Sequence, residues 1–287
     1  MLCRKGILLK QTQQRVPCGQ CMPCRINTGR KWSGRIMLES AYQYTKTGFP
    51  GEFITLTYSD ENVPVTVEGV QTLAKKPFLI WLHNQRKDLQ GFRYYAVGEY
   101  GENTHRPHYH LALFPTTYDQ CAVLRGRWEK LFGFTSSYPL APERARYLAN
   151  YTAKKLTKPT DDRLEPGQEP EFRTSSRKPP IAAHFIEILV SQYSTKKGKA
   201  IIEERGDIER VFRWEGRLYP IAPYLLNKAR ERLGIPLLES ERGEHPNYYH
   251  YHQVEEALWD PSAAHNLEVQ LNAKKIQRLY RSTSIKL

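Results

Sequence analysis

Two histidines one residue apart, His108 and His110, run directly into Leu111, Ala112, Leu113 and Phe114. That pattern predicts a β-strand entering a core, and the alternation of strand side chains puts both imidazoles on one face. The apolar segment before it ends on Glu99, and the intervening Gly-Glu-Asn-Thr-His-Arg-Pro is rich in turn formers, so the two segments are expected to pair as neighbouring strands. Glu99 then comes to lie beside the imidazoles. Two neutral imidazoles and one carboxylate suit a divalent ion with coordination positions left open for water or substrate oxygens. A His-x-His pair alone is about as often two polar residues facing solvent, and Glu99 is what favours a metal site. The second such pair, His250 and His252, has no apolar strand behind it and reads as surface.

A second set lies in residues 141–156, a run of good helix formers without internal glycine or proline. Tyr147, Tyr151 and Lys154 stand at i, i+4 and i+7, one helical stripe, so two phenols and an ammonium are expected to face a common site. Burial of both rings as ordinary core is the simpler alternative. The third set is Cys18-Gly-Gln-Cys21-Met-Pro-Cys24, for which Cys3 is the obvious fourth thiol. Zinc is the preferred reading, although the spacing also matches part of an iron–sulfur pattern, and unmetallated reactive thiols are the bland alternative. Cys121 sits in a helical pattern and reads as core.

Lys and Arg number 43 against 30 acidic residues, a net charge of +13, which points to a polyanionic partner, nucleic acid before an anionic membrane surface. There is no apolar run long enough to span a membrane and no signal-peptide core at the start, so a cytoplasmic protein is expected. An odd set of five cysteines, three of them clustered, is unlike a secreted disulfide framework. No Gly-x4-Gly-Lys-Ser/Thr loop is present, which argues against a fused ATP-driven helicase. An open metal site, a phenol pair and strong positive charge together suit phosphodiester transesterification, in which a tyrosine oxygen attacks phosphorus and a polarising metal offsets the charge that develops. Thr55 and Thr57, Arg106 in the turn, and Lys155 beside the tyrosine stripe are the candidate DNA contacts.

The elements that must position these groups follow in order. A basic amphipathic helix is predicted over 25–44, a strand over 53–58 and a helix over 75–89. The two strands already described come next, then a helix over 119–132 stopped by Gly133, and the tyrosine helix. Beyond it lie a segment rich in Pro, Ser, Thr and charge, a helix over 182–193, a hairpin around Glu215-Gly216, a helix over 223–233 and a basic tail. Strand, helix, strand, strand, helix suits an α+β protein with a central antiparallel sheet flanked by helices and a smaller mixed C-terminal region. The expected division is a cysteine segment with the basic helix over 1–46, a catalytic core over 47–157, a linker or mobile loop over 158–180, and a C-terminal region of unknown role over 181–287.

The chain resembles the HUH family of rolling-circle replication initiators, most nearly the replication proteins of microvirus phages of the gokushovirus-like group. Phe53-Ile-Thr-Leu-Thr-Tyr58 resembles the family's first motif, and His108-Tyr-His-Leu-Ala-Leu-Phe its histidine motif, with Tyr109 where the motif has a purely hydrophobic residue. Glu99 stands where related initiators carry a further metal ligand, and Tyr147-x3-Tyr151-x2-Lys154 resembles the nucleophile motif. The cysteine cluster, Ser176-Arg-Lys-Pro-Pro and Arg213-Trp-Glu-Gly-Arg-Leu-Tyr also look like the phage branch. The resemblance implies an HUH endonuclease fold and nicking and rejoining of single-stranded origin DNA through a 5′-phosphotyrosine. It implies Mg2+ or Mn2+ as cofactor, and a host helicase and polymerase as partners in the bacterial cytoplasm. A transposase or relaxase of the same chemistry, or a noncatalytic zinc-stabilised nucleic-acid-binding protein, are the competing readings.

Overall fold

The computed structural model describes residues 3, 6–10, 14–101, 104–154, 160–214 and 216–236. The second His-x-His pair, Lys155, Glu215 and the basic tail lie outside the described residues. The chain divides into two compact units, one of residues 1–27 with 236–287 and one of residues 28–235.

In the first unit, strands β1 (Ile7–Leu9) and β2 (Gln14–Val16) form a short antiparallel hairpin. Helix α1 (Met22–Thr47) begins in this unit.

The second unit is built on a five-stranded antiparallel sheet in the order β6-β3-β5-β4-β7. Its strands are β3 (Glu52–Tyr58), β4 (Phe92–Tyr100), β5 (Pro107–Pro115), β6 (Gly133–Pro139) and β7 (Phe172–Ser175). Helices α2 (Lys75–Asp88), α3 (Asp119–Leu131) and α4 (Pro142–Lys154) connect them. The chain continues through α5 (Phe185–Ser194), α6 (Lys196–Arg205), the hairpin β8 (Val211–Trp214) and β9 (Arg217–Pro220), and α7 (Pro223–Arg232). The expected antiparallel α+β architecture is therefore met.

Strand alternation sorts the sheet into two cores. Ile54, Leu56, Tyr58, Tyr109, Leu111 and Leu113 face α2 and α3, where Phe78, Leu82, Leu124 and Trp128 complete the packing. Phe53, Tyr95, Val97, Ala112 and Phe114 point the other way, toward Ile36, Met37 and Leu38 of α1, Leu148 of α4, Leu189 of α5 and Leu225 of α7. Buried Glu39 of α1 fastens this second layer. It accepts hydrogen bonds from Arg93 of β4 and, at 2.5 Å, from the Ala182 N–H just ahead of α5.

Two edges of the sheet differ from the sequence expectation. Residues 133–139 form β6 rather than a mere helix stop, pairing along all of β3. Gly133 admits this: a Cβ there would meet the Ser59 nitrogen at 2.3 Å. The segment expected as a linker or mobile loop over 158–180 instead supplies β7, which pairs with β4 from Tyr95 to Gly98. Its polar residues find partners in the sheet's own loops. The Lys75 N–H donates to Glu169 at 2.7 Å, the Tyr100 hydroxyl donates to the Glu169 carbonyl at 2.7 Å, and Gln168 donates to the Gln71 carbonyl at 2.6 Å. The expected boundaries at 46, 157 and 180 consequently do not separate compact units; residues 28–235 are one.

Candidate active site

Glu99, His108 and His110 meet because β4 and β5 pair in the register Glu99↔His108 and Val97↔His110. The Glu99 Oε1 lies 2.8 Å from His108 Nε2 and 3.1 Å from His110 Nε2, and candidate ligand atoms of the three residues lie within 4.8 Å of one another. Glu99 is 2% exposed and His110 4%. Burial pushes the Glu99 carboxyl up, yet hydrogen bonds to the two imidazoles outweigh it and hold the group below the usual carboxylate range. Burial lowers His110 below its ordinary value against the opposing pull of Glu99, which favours the neutral imidazole a metal requires.

The proton arrangement tests whether a cation fits. His108 Nδ1 is 3.0 Å from the Arg106 carbonyl oxygen, which can only accept, so Nδ1 carries the proton. In a neutral ring Nε2 then presents a lone pair to a carboxylate oxygen 2.8 Å away. Two acceptors at that distance repel unless a proton or a metal ion intervenes. Glu99 Oε2 is buried with no hydrogen-bond partner, a second donor atom left for a cation. The donor set and the unmatched atoms fit a divalent metal.

Thr55, expected as a DNA contact, turns instead toward the metal group: its hydroxyl lies 2.9 Å from His110 Nδ1. An outer hydrogen bond of this kind fixes ring orientation and tautomer. Thr57 pairs with His108 across β3 and β5 and shares its face. Arg106 spends its guanidinium on the end of β3, donating to the Tyr58 carbonyl at 3.2 and 2.6 Å and to Asp60 at 2.5 Å. Tyr109, between the histidines, faces the opposite core. Its ring stacks on Phe78 with centroids 3.9 Å apart, and its hydroxyl accepts from the Ala74 N–H at 3.2 Å, where α2 has no side-chain cap. A phenol is tolerated at this place because its polar tip has partners.

Helix α4 crosses the same face as the histidines. Tyr151 stacks on His110 with centroids 5.2 Å apart, Tyr147 contacts the His110 and Phe53 rings at 5.9 and 6.0 Å, and the two phenolic hydroxyls hydrogen-bond to each other. Both rings are half-buried at the edge of the core, so packing and access to the metal group coexist. Lys154 is the last residue of α4, and its side chain lies outside what the structure describes.

Two residues on this face carried no sequence signal. Arg173 on β7 pairs with Val97, which in turn pairs with His110, so it stands two strands, about 10 Å, from the histidine. It is exposed, its guanidinium lies 5.2 Å from the centre of the Trp32 ring, and no carboxylate pairs with it among the described residues. Trp32 also carries Arg35 at 4.3 Å and touches Tyr95. Gly98, beside Glu99, is required by proximity: a Cβ would lie 2.6 Å from the Phe172 ring of β7.

In the first unit, Cys3, Cys18, Cys21 and Cys24 converge, with their sulfurs within 4.8 Å of one another. All four are free thiols. Burial raises the Cys18 thiol slightly, but hydrogen bonds from the Cys21 and Gln20 N–H groups prevail and bring it to about 6. Cys121 is buried core, as expected. No helix among the described residues is long and apolar enough to cross a membrane.

Comparison with known proteins gives two relatives. The chain is 29% identical over 161 residues to the replication-associated protein ORF2 of Spiroplasma virus 4, covering 49% of this chain and 48% of that protein. It is 26% identical over 228 residues to the replication-associated protein VP4 of Bdellovibrio phage phiMH2K, covering 71% of this chain and 68% of the relative. The match thus spans about half the length of the first relative and about two thirds of the second. No solved structure matches. Residues 51–156, which hold β3 through α4 and every residue of the histidine and tyrosine sets, match the family described as replication-associated protein ORF2. The kinship with phage replication proteins read from the motifs is borne out, and the chain carries a replication-associated protein domain of the ORF2 family.

Proposed function

We propose that this protein initiates rolling-circle replication by nicking single-stranded DNA at an origin and later rejoining it through a covalent 5′-phosphotyrosine. The observation that carries the reading is the stacking of Tyr151 on His110, with Tyr147 hydrogen-bonded beside it: two phenols from a helix that follows the histidines by more than 30 residues adjoin a buried carboxylate–imidazole group.

The tyrosine oxygen attacks the scissile phosphorus, the bond from phosphorus to the 3′ oxygen breaks, and the proton lost by the phenol is balanced by one gained at the departing 3′ oxygen. The products are a 5′-phosphotyrosine and a free 3′-hydroxyl, which a host polymerase extends in the bacterial cytoplasm behind a host helicase. Glu99, His108 and His110 would hold a divalent ion, magnesium or manganese, that polarises the nonbridging phosphate oxygens. Thr55 and the Arg106 carbonyl orient the two imidazoles. The phenol left unreacted hydrogen-bonds the attacking one, holds it in place and serves as the nucleophile of a second cleavage. Lys154 offsets charge on the phosphate or relays the phenolic proton. The four thiols are unsuited to magnesium and fit a structural zinc.

Incubation with single-stranded origin DNA and Mn2+, followed by denaturing electrophoresis, tests the reading. Tyr147→Phe and Tyr151→Phe should each reduce the protein–DNA adduct and together abolish it. An undiminished adduct in the double variant refutes the assignment of the nucleophiles, and a noncovalent shift with no adduct from the wild-type chain marks a DNA-binding protein without this chemistry.

A further inference from the structure

We propose that Cys3, Cys18, Cys21 and Cys24 bind a single zinc ion as four thiolates, a structural centre that shares no residue with the Glu99, His108 and His110 group. The sulfurs are already spaced for one ion. Cys21 Sγ lies 3.7 Å from Cys3 Sγ, and four sulfurs placed tetrahedrally at a zinc–sulfur distance of about 2.3 Å are about 3.8 Å apart. A multi-iron cluster interposes iron and sulfide between its cysteines and would spread them further. Magnesium and calcium prefer oxygen, so a site of four sulfurs selects a softer metal.

The backbone around the cysteines is arranged for thiolates. Gly19 has φ +71° with nothing near its missing Cβ, so glycine serves there for its left-handed conformation and not for space. The turn directs two amides at one sulfur: the Gln20 and Cys21 N–H groups donate to Cys18 Sγ at 3.4 and 3.2 Å. The Cys18 N–H in turn donates to Cys3 Sγ at 3.2 Å. Such outer hydrogen bonds steady a ligand in the form and orientation that a metal needs.

The unit also lacks other means of holding this local shape. Cys3 precedes β1, Cys18 follows β2, Cys21 precedes α1 and Cys24 sits in its first turn. Each strand has three residues, and Ile7, Leu8 and Leu9 are 50%, 50% and 38% exposed. A two-stranded ribbon that buries so little is marginal by itself. One ion joining both ends of the hairpin to the start of the helix supplies the stability that apolar packing does not.

The full chain, purified under reducing conditions without chelator, should carry one zinc per molecule by elemental mass spectrometry. Replacing that metal with cobalt should give thiolate-to-cobalt charge-transfer absorption and the intense visible bands of a tetrahedral centre. Cys18→Ser and Cys24→Ser should lose the zinc, whereas a Glu99→Gln, His110→Ala double variant should keep it. Should the serine variants fold poorly, stepwise titration of wild-type thiols with a mercurial decides the matter, since zinc release must track four thiols. Substoichiometric zinc in the wild type, iron with sulfide in its place, or zinc lost from the Glu99 and His110 variant but retained by the serine variants would overturn the proposal. None of these readings depends on DNA cleavage, so this assignment and the replication reading can fail independently.

Discussion

Replacing Thr55 with valine removes one hydroxyl from behind a metal ligand and almost nothing else. The side chain keeps its branching and its strand propensity, and Thr55 pairs with His110 through backbone register that the substitution does not touch. What is lost is the 2.9 Å bond to His110 Nδ1. Inside a fully buried ring pocket the unmatched nitrogen costs about 1–3 kcal/mol of stability. The larger consequence is functional. With Thr55 present, Nδ1 has a partner and Nε2 is held toward Glu99; with valine the tautomer and ring torsion are restrained only by the Phe53 and Tyr151 rings, at 5.4 and 5.2 Å. Loss of such an orienting bond typically weakens metal affinity about 10- to 100-fold, which corresponds to about 1.4–2.7 kcal/mol. Calorimetric titration with Mn2+ reads the affinity directly, and the Mn2+ concentration for half-maximal adduct should rise in step. Affinity for single-stranded DNA in chelator should not change. A Thr55→Val protein that folds and binds Mn2+ within about twofold of wild type would show that the hydroxyl does not tune the site, and the argument from outer hydrogen bonding would fail.

Two further outcomes follow from groups away from the metal ligands. Hydrogen bonds and charge from Arg230, aided by Arg210, outweigh the effect of burial and hold the Asp207 carboxyl below its ordinary range. A depressed carboxyl contributes stability above its unfolded pKa of about 3.9 and loses it as pH falls through the folded value. Asp207→Asn should therefore cost about 2–3 kcal/mol in urea unfolding at pH 7, because it leaves buried Arg230 without its counter-charge, and the gap to wild type should close below about pH 4; a gap constant with pH would refute the assignment. Arg173→Ala should weaken single-stranded DNA binding in chelator and reduce the slope of log affinity against log salt by about 0.7, the effect of one lost phosphate contact, and an unchanged slope would remove Arg173 from the DNA path.

The motifs that local periodicity governs were legible in the sequence. The Glu99, His108 and His110 group needs only a seven-residue link and strand alternation, and both are written in consecutive residues. Tyr147 and Tyr151 need only a helix. The edge strands were not legible, for a physical reason. Gly133-Phe-Thr-Ser-Ser-Tyr-Pro139 is largely exposed, so it shows no buried stripe, and what makes it a strand is the backbone of β3 on its inner side. Phe172-Arg-Thr-Ser175 is too short and too polar to stand out among its prolines and charges, and it exists as a strand because β4 offers a free edge. Arg173 could not be assigned to the active face without that pairing.

Thr55 shows where sequence reasoning stops and register begins. On the face toward α4, three strands run from apolar to polar in parallel rows: Phe53 to Thr55 to Thr57, Ala112 to His110 to His108, and Tyr95 to Val97 to Glu99. Each strand alone looks like an ordinary alternating segment with a few polar substitutions. Aligned, they place every polar residue at one end of the sheet and leave the other end to the core of α1 and α4. Burying a carboxylate and an imidazole at the margin of such a core costs stability unless something compensates both. The hydrogen bonds present satisfy Glu99 Oε1 and leave Oε2 without a partner. A core selected for stability alone would favour apolar side chains at these positions, so retention of this polar end is better explained by a cation and a phosphate than by folding.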